Sequence, residues 1–526
     1  MRLTRRAFLA GATAMGVEGC AHHELAGPFP KAPHETPPHY IVDVHCHAFN
    51  GSDLPIAGFI EKISNLPPAL VGPLLQRFQT FIDQYAPTGA QEIAKLGPGL
   101  PLPPPTPDLR QKVRDLASTA VGDLLLPATL KFAGNDLGGT IERFVEVVEL
   151  VTHYRYEIAA KLATTYDAVD LFTPAMVDFD LWSDDLAKTP IAAQIVAQSR
   201  VSRLAMLGRI PGAPQARVHP LAPFNPLREA RDRIASLTEY DPFGTGKTFT
   251  AETRYECAGP APISVGDDGA VPDGAGSLAL VRYAIEKAGF IGVKVYPPVG
   301  FRPLDNATLG PSTGDVGVRL DLALRAAYAY CEAEQVPVMS HTGNSNGFAP
   351  GYGELASPDS WRPVMAAYPN LRLNLAHFGA LEGAETDRGV KACEAWIRQA
   401  AVLMNTYPHI YADVGCSSLP VYEDWAMLYL DALEDIVQKY PIVKKRLMFG
   451  TDFWLNRFDP NSGLFVDAFA QTFEKAFGVD ARRDMMGANA LRFLGLVDDA
   501  GQPASTRPAR RLRDFYGATP RPPWLG

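Results

Sequence analysis

Short apolar runs recur along the chain, and a polar or ionisable group closes each one. The first, Ile41-Val42, leads into Asp43-Val44-His45-Cys46-His47. Later runs are Pro174–Asp178, Arg217–Phe224, Ile291–Tyr296, Val336–His341, Leu371–His377, Ile410–Val414 and Arg446–Asp452. Runs of this length between turn residues read as buried strands. Helical stretches separate most of them, as at Ser277–Ala288 and Leu320–Glu334. Strands alternating with helices predict a parallel sheet in an α/β fold. Eight such units closing on themselves predict a (β/α)8 TIM barrel, whose chemistry sits at the C-terminal strand ends. The alternative is a doubly wound sheet, which would spread the polar groups along a crevice.

Two stretches break the alternation. Residues 50–165 carry a helical stripe at Ile141, Phe144, Val145, Val148 and Val151 and a proline-rich break at Gly97–Pro107. They predict a large helical insertion after the first strand. Residues 240–276 are rich in Gly, Pro and Asp and predict a long surface loop. The chain thus divides into a leader and tether at 1–38, a barrel at 39–498 with these two excursions, and a tail at 499–526. The insertion offers a lid or a dimerisation surface, so a homo-oligomer stays open. The basic tail, Arg507 to Arg521, reads as a solvated or packing extension.

Composition narrows the class. The 526 residues are 47% apolar and 20% charged, ordinary for a soluble globular protein. A net charge of −9 argues against a nucleic-acid partner. Thr4-Arg5-Arg6-Ala7-Phe8-Leu9 resembles the twin-arginine export signal, which implies a periplasmic or exported protein. The apolar stretch after it is too short to span a membrane. Val17-Glu18-Gly19-Cys20 partly resembles a lipoprotein cleavage site, so membrane contact is expected only through lipidation at Cys20. The remaining cysteines have no paired spacing and suggest no disulfide framework. Gly244-Thr245-Gly246-Lys247-Thr248 lacks the first glycine of a phosphate-binding loop, because Asp241 stands there.

Alternation along the first strand points Asp43, His45 and His47 one way, and Val44 and Cys46 the other. Two imidazoles on one face can grip a metal ion. His341, His377 and Asp452 close the fifth, sixth and eighth strands, which would bring them to the same rim.

The segments Val336–Gly343 (VPVMSHTG), Leu373–Gly379 (LNLAHFG), Leu447–Phe453 (LMFGTDF) and Gly487–Leu496 (GANALRFLGL) fit that order. The chain closely resembles the amidohydrolase superfamily over about residues 40–496, and within it the branch of aminocarboxymuconate-semialdehyde decarboxylase. His45, His47 and His341 can offer nitrogens and Asp452 an oxygen to a divalent ion, zinc first, with manganese, iron or cobalt also suited. Such an ion would lower the pKa of a bound water, and Asp452 would take the proton and pass it on. The resemblance implies that His377 polarises the substrate or holds a second ion. It also gives Lys294 two alternatives, a carboxylated bridging ligand or an ion-pairing neighbour. Asp43 is a candidate to orient one histidine, and Cys46 is expected to pack against the helices. His219, Asp178, Asn344, Trp454 and Arg457 are candidate substrate contacts.

The expected function is an exported metal-dependent hydrolase of an ester, lactone or amide bond in a small-molecule substrate. Two alternatives stand beside it: a non-oxidative decarboxylase of an aromatic or unsaturated acid on the same site, and a non-catalytic tethered binding protein on a retired barrel.

Overall fold

The computed structural model describes residues 24–526 except 36, 56–57, 59–67, 98, 121–136, 183–185, 256–262, 310–313, 345–346, 380–386 and 416–418. The export signal and Cys20 lie outside the described residues. Among the described residues no helix is long and apolar enough to cross a membrane.

Among the described residues nine parallel strand segments form the centre: β1 Val42–Cys46, β2 Leu171–Pro174, β3 Arg217–Val218, β4 Leu221–Pro223, β5 Gly292–Val295, β6 Val338–His341, β7 Leu373–Ala376, β8 Ile410–Asp413 and β9 Leu447–Met448. They pair as two sheets, β1-β2-β3 and β4-β5-β6-β7-β8-β9. β3 and β4 are one predicted strand broken at His219-Pro220, because proline cannot donate to a ladder. The break moves the chain from one sheet to the other. Met176 N donates to Leu221 O at 3.2 Å on that side, and Val44 N donates to Phe449 O at 3.1 Å on the other. These bonds link the sheets, so the strands follow one another round a (β/α)8 arrangement. Helices 191–206, 276–287, 314–333, 387–406, 423–439 and 465–477 alternate with them.

The second strand lies earlier than its predicted position of Pro174–Asp178. Leu171-Phe172 pair with Val42-Asp43, whereas Ala175 touches Leu221 only through an isolated bridge. The helical stripe at 140–163 is also two helices, Leu137–Leu150 and Arg155–Thr165. Glu157 ends the first reading: its carboxylate accepts from Tyr154 N at 3.1 Å and from Thr106 N at 2.9 Å, starting a new helix. Arg155, which is buried, donates from Nε to Asp53 at 3.0 Å and ion-pairs with Glu92, tying the insertion to the chain beyond β1.

Residues 240–276 carry no helix or strand among the described residues up to Ala275, and most of those residues are exposed or half-buried, as a surface loop requires. Tyr240, Phe243, Phe249 and Tyr255 are buried and their rings pack on one another. These aromatics anchor a loop that otherwise lies on the surface. The tail packs as well. Leu512, Tyr516, Trp524 and Leu525 join Tyr40, Val42 and Val44 in an apolar cluster at the strand starts. Gly487 is pressed so closely on β1 that a Cβ there would lie 1.8 Å from Tyr40 O, which admits only glycine.

Candidate metal centre

β1 delivers two histidines to the C-terminal rim, although its alternation is not strict. The register with β2 slips between Asp43 and Cys46, where Val44 and His45 on β1 answer Thr173 alone on β2. Cys46 is fully buried and joins the apolar core that includes Ile158, Ala159 and Leu162 of the helix at 155–165, as expected. Burial pushes its thiol pKa well up, and the nearby Asp43 carboxylate adds to the rise. His45 is 1% exposed, and its Nε2 lies 3.7 Å from Asp452 Oδ1. His47 Nε2 lies 2.9 Å from the same oxygen.

The other ring nitrogens fix these tautomers. His45 Nδ1 donates to Asp413 Oδ1 at 3.0 Å, and His47 Nδ1 donates to Ala175 O at 2.7 Å. His377 Nδ1 donates to Gly415 O at 3.1 Å, leaving its Nε2 to accept from His341 Nδ1 at 2.9 Å. In neutral imidazole the nitrogen without hydrogen carries the lone pair. His47 Nε2 and Asp452 Oδ1 are then two acceptors facing each other. A proton on the ring or a cation between them resolves the repulsion.

The donor set fits a divalent ion on that ground. Ligand atoms of His45, His377 and Asp452 all lie within 4.8 Å of one another. This closest group contains His377, expected to polarise substrate, while His47 and His341 flank it. His45, His377 and His341 are in ring contact, with centroids 4.8 Å and 4.4 Å apart. All five expected site residues therefore share one rim.

Electrostatics suits ligation. Burial, followed by the charge of His45, pushes His377 down to about 4. Burial, with His377 and Lys294 adding, pushes His341 well below its ordinary value. Both rings are neutral at neutral pH. Burial alone would raise Asp452, but His45 and His47 overrule it and hold the carboxyl well below its usual range. Lys294, 2% exposed on β5, has its Nζ 3.5 Å from His45 Nε2. Burial lowers it to about 8 against the pull of Asp413 and Asp452.

Backbone strain concentrates here. His377, Phe378, Asp452 and Trp454 have φ of 70°, 43°, 51° and 107°. Left-handed conformations of such side chains cost about 1–3 kcal/mol each and persist only where neighbours over-determine them. Asp452 N donates to His45 O at 2.7 Å, and His377 N donates to Asp413 Oδ1 at 3.1 Å.

Asp413 was given no role from the sequence, though it closes a strand as the ligands do. Its carboxylate accepts from the His45 ring, from His377 N, from Gly415 N at 2.9 Å and from Asn374 Nδ2 at 2.6 Å. Asp43 does not orient a histidine ring. It accepts from Thr451 N at 3.0 Å and Thr451 Oγ1 at 2.7 Å, tying β1 to the Asp452 turn, and burial pushes it up to about 7.

Most expected substrate contacts are otherwise engaged. His219 lies at the strand starts, donating from Nδ1 to Gly289 O at 3.0 Å with Nε2 3.1 Å from Tyr516 Oη. Asp178 pairs with Arg228, Asn344 bonds Glu354, and Arg457 pairs with Glu146. Trp454 is beside the centre, stacked on Phe49 at 5.2 Å, with Phe49 6.1 Å from the His47 ring. Tyr296 lies 4.6 Å from the His341 ring.

A family profile described as amidohydrolase matches residues 205–496. No curated protein sequence matches. An amidohydrolase structure from Burkholderia multivorans has 12% identity and a TM-score of 0.38, covering 64% of this chain and 87% of its own. A TIM-barrel protein from Bordetella bronchiseptica has 15% identity and a TM-score of 0.35, covering 64% and 82%. A uronate isomerase from Bacillus halodurans has 12% identity and a TM-score of 0.39, covering 94% and 98%.

Proposed function

The chain belongs to the amidohydrolase family, and from that premise we propose that it is an exported metal-dependent hydrolase cleaving an ester, lactone or amide bond of a small molecule. One observation carries this reading: the convergence of His45, His377 and Asp452, from three separate strand ends, on a point that a divalent ion fits. His47 and His341 complete the candidate ligand set. When bound, such an ion supplies Lewis acidity and makes water acidic enough to attack near neutral pH. Zinc suits this donor set, as do manganese, iron and cobalt.

The chain's own groups do the rest. Asp452 Oδ1 accepts the proton of the attacking water and returns it to the leaving group. His377, with its Nδ1 hydrogen committed to Gly415 O, keeps its Nε2 lone pair for acceptance, from His341 Nδ1 or, with that bond exchanged, toward an ion, and is not set to donate to a substrate carbonyl. Lys294 adds a cation beside His45, where charge develops. Phe49, Trp454 and Tyr296 wall the centre with aromatic surface and limit access of bulk water. Export rests on the Arg5-Arg6 segment, and the periplasm is the proposed destination.

Purified, metal-loaded protein tests the reading on panels of lactones, esters, amides and aromatic acids. Metal-dependent release of acid from the first three supports it. Carbon dioxide release from aromatic acids, without consumption of water, would replace it with a decarboxylase.

A further inference from the structure

Two adjoining cavities of about 440 and 680 Å³ open at the strand starts, the end of the barrel opposite the metal centre. They share Gln335, Arg372, His409 and Arg507 on their walls. Arg372 precedes β7, and His377 follows it, so the two ends are roughly 15 Å apart along the strand.

The cavity is cationic, and most of its charges have partners. Arg254 pairs with Glu332, and Arg507 with Glu334 at 2.5 Å. Arg492 pairs with Asp484 at 3.0 Å. Arg372 is different: its guanidinium makes no hydrogen bond or ion pair among the described residues, and its Nη1 is buried against Gly495 without a partner. Burial lowers its pKa, and the Tyr411 phenol, a group neutral near pH 7, is what opposes that. Arg446, whose Nη1 donates to Tyr407 O at 2.9 Å, and Arg372 both depress the His409 imidazole, which burial already lowers; only Glu332 opposes them. Asp498 and Asp499, on the rim of the larger cavity, are exposed, and Asp498 Oδ1 is engaged by Ala500 N and Gln502 N. A half-buried guanidinium without a carboxylate partner is unfavourable unless an anion compensates it.

We infer that Arg372, His409 and Arg507 form a binding site for a small, multiply charged oxyanion, a phosphate or a di- or tricarboxylate, separate from the metal centre. The planar guanidinium fork matches two oxygens of such a group at once. Arg507, Gln335 and His409 surround it with further donors. A ligand there would bridge the starts of β7 and β8 to the helix ending at Ala333 and to the tail.

Calorimetry and thermal melting of the full-length protein with inorganic phosphate and with citrate, against sodium chloride of equal ionic strength, test this site. Saturable binding is expected for one or both anions and a rise in Tm with it; comparison of the two says which oxyanion class the site prefers. Arg372→Met should weaken binding at least about tenfold, Arg507→Gln should weaken it severalfold, and His45→Ala should leave it intact. Without anion, Arg372→Met should melt no lower than the parent. No binding of either anion beyond the chloride control overturns the inference. So does undiminished binding by both arginine variants, or a loss of several degrees in anion-free Arg372→Met, which would show that the guanidinium has a protein partner.

Discussion

His45 Nδ1 donates to Asp413 Oδ1 at 3.0 Å, joining residues 368 positions apart. The same oxygen accepts from His377 N, so one carboxylate orients a ring on β1 and the strained turn after β7. Burial would raise Asp413, but the charge and hydrogen bond of His45 hold it well below the usual carboxylate range. Asp413→Asn, which keeps the shape and removes the charge, is expected to weaken metal affinity by about 10–100-fold without unfolding the protein. Competition with a chromogenic chelator measures it. Unchanged affinity would mean that Asp413 only fills space.

Gly450 makes room for the same histidine. A Cβ there would lie 2.7 Å from His45 Cβ and 3.2 Å from its backbone nitrogen, so β1 would have to move. Gly450→Ala should cost about 1–3 kcal/mol in urea unfolding and lower metal affinity with it. A variant as stable as the parent would show that the rim is loose.

The barrel was legible because each strand ends its apolar run with a chemically committed residue, as at His341, His377 and Asp452. Asp413 obeyed the same pattern and was passed over, since its role is to bond a ring from β1 that no local spacing connects to it. The slip between Asp43 and Cys46 was equally invisible: it arises from pairing with Phe172 and Pro174, not from the pentapeptide. Gly/Pro content placed residues 240–276 on the surface but did not show how they are anchored. It describes the backbone of a loop, while Phe243, Phe249 and Tyr255 pin that loop to the core.

Arg155 anchors the helical insertion from a buried position between Asp53 and Glu92. Removing one member of such a group leaves charges uncompensated in the interior. Arg155→Met should destabilise the protein by about 3–5 kcal/mol, read by denaturant unfolding. A loss below about 1 kcal/mol would show that the insertion is held mainly by apolar contacts.

His219 predicts acid sensitivity. Burial lowers its pKa from 6.5 to about 4. Between those values the unfolded chain binds the proton and the folded one does not, so stability rises with pH across the window and is lost as pH falls. The contribution reaches up to about 3 kcal/mol near pH 4. Gln at this position can still donate to Gly289 O and accept from Tyr516 Oη. Unfolding measured from pH 7 to 4 should therefore show a smaller loss for His219→Gln than for the parent. Parallel curves would rule out this histidine as the source.

The central claim is that His45, His47, His341, His377 and Asp452 build a divalent metal centre. Elemental analysis of protein purified without chelators, set beside His45→Ala and Asp452→Ala, tests it most directly. At least one tightly held divalent ion per parent chain is expected, and its loss from both variants, with their circular dichroism unchanged. A parent chain that carries no stoichiometric metal and takes up neither zinc nor manganese on equilibrium dialysis would contradict it.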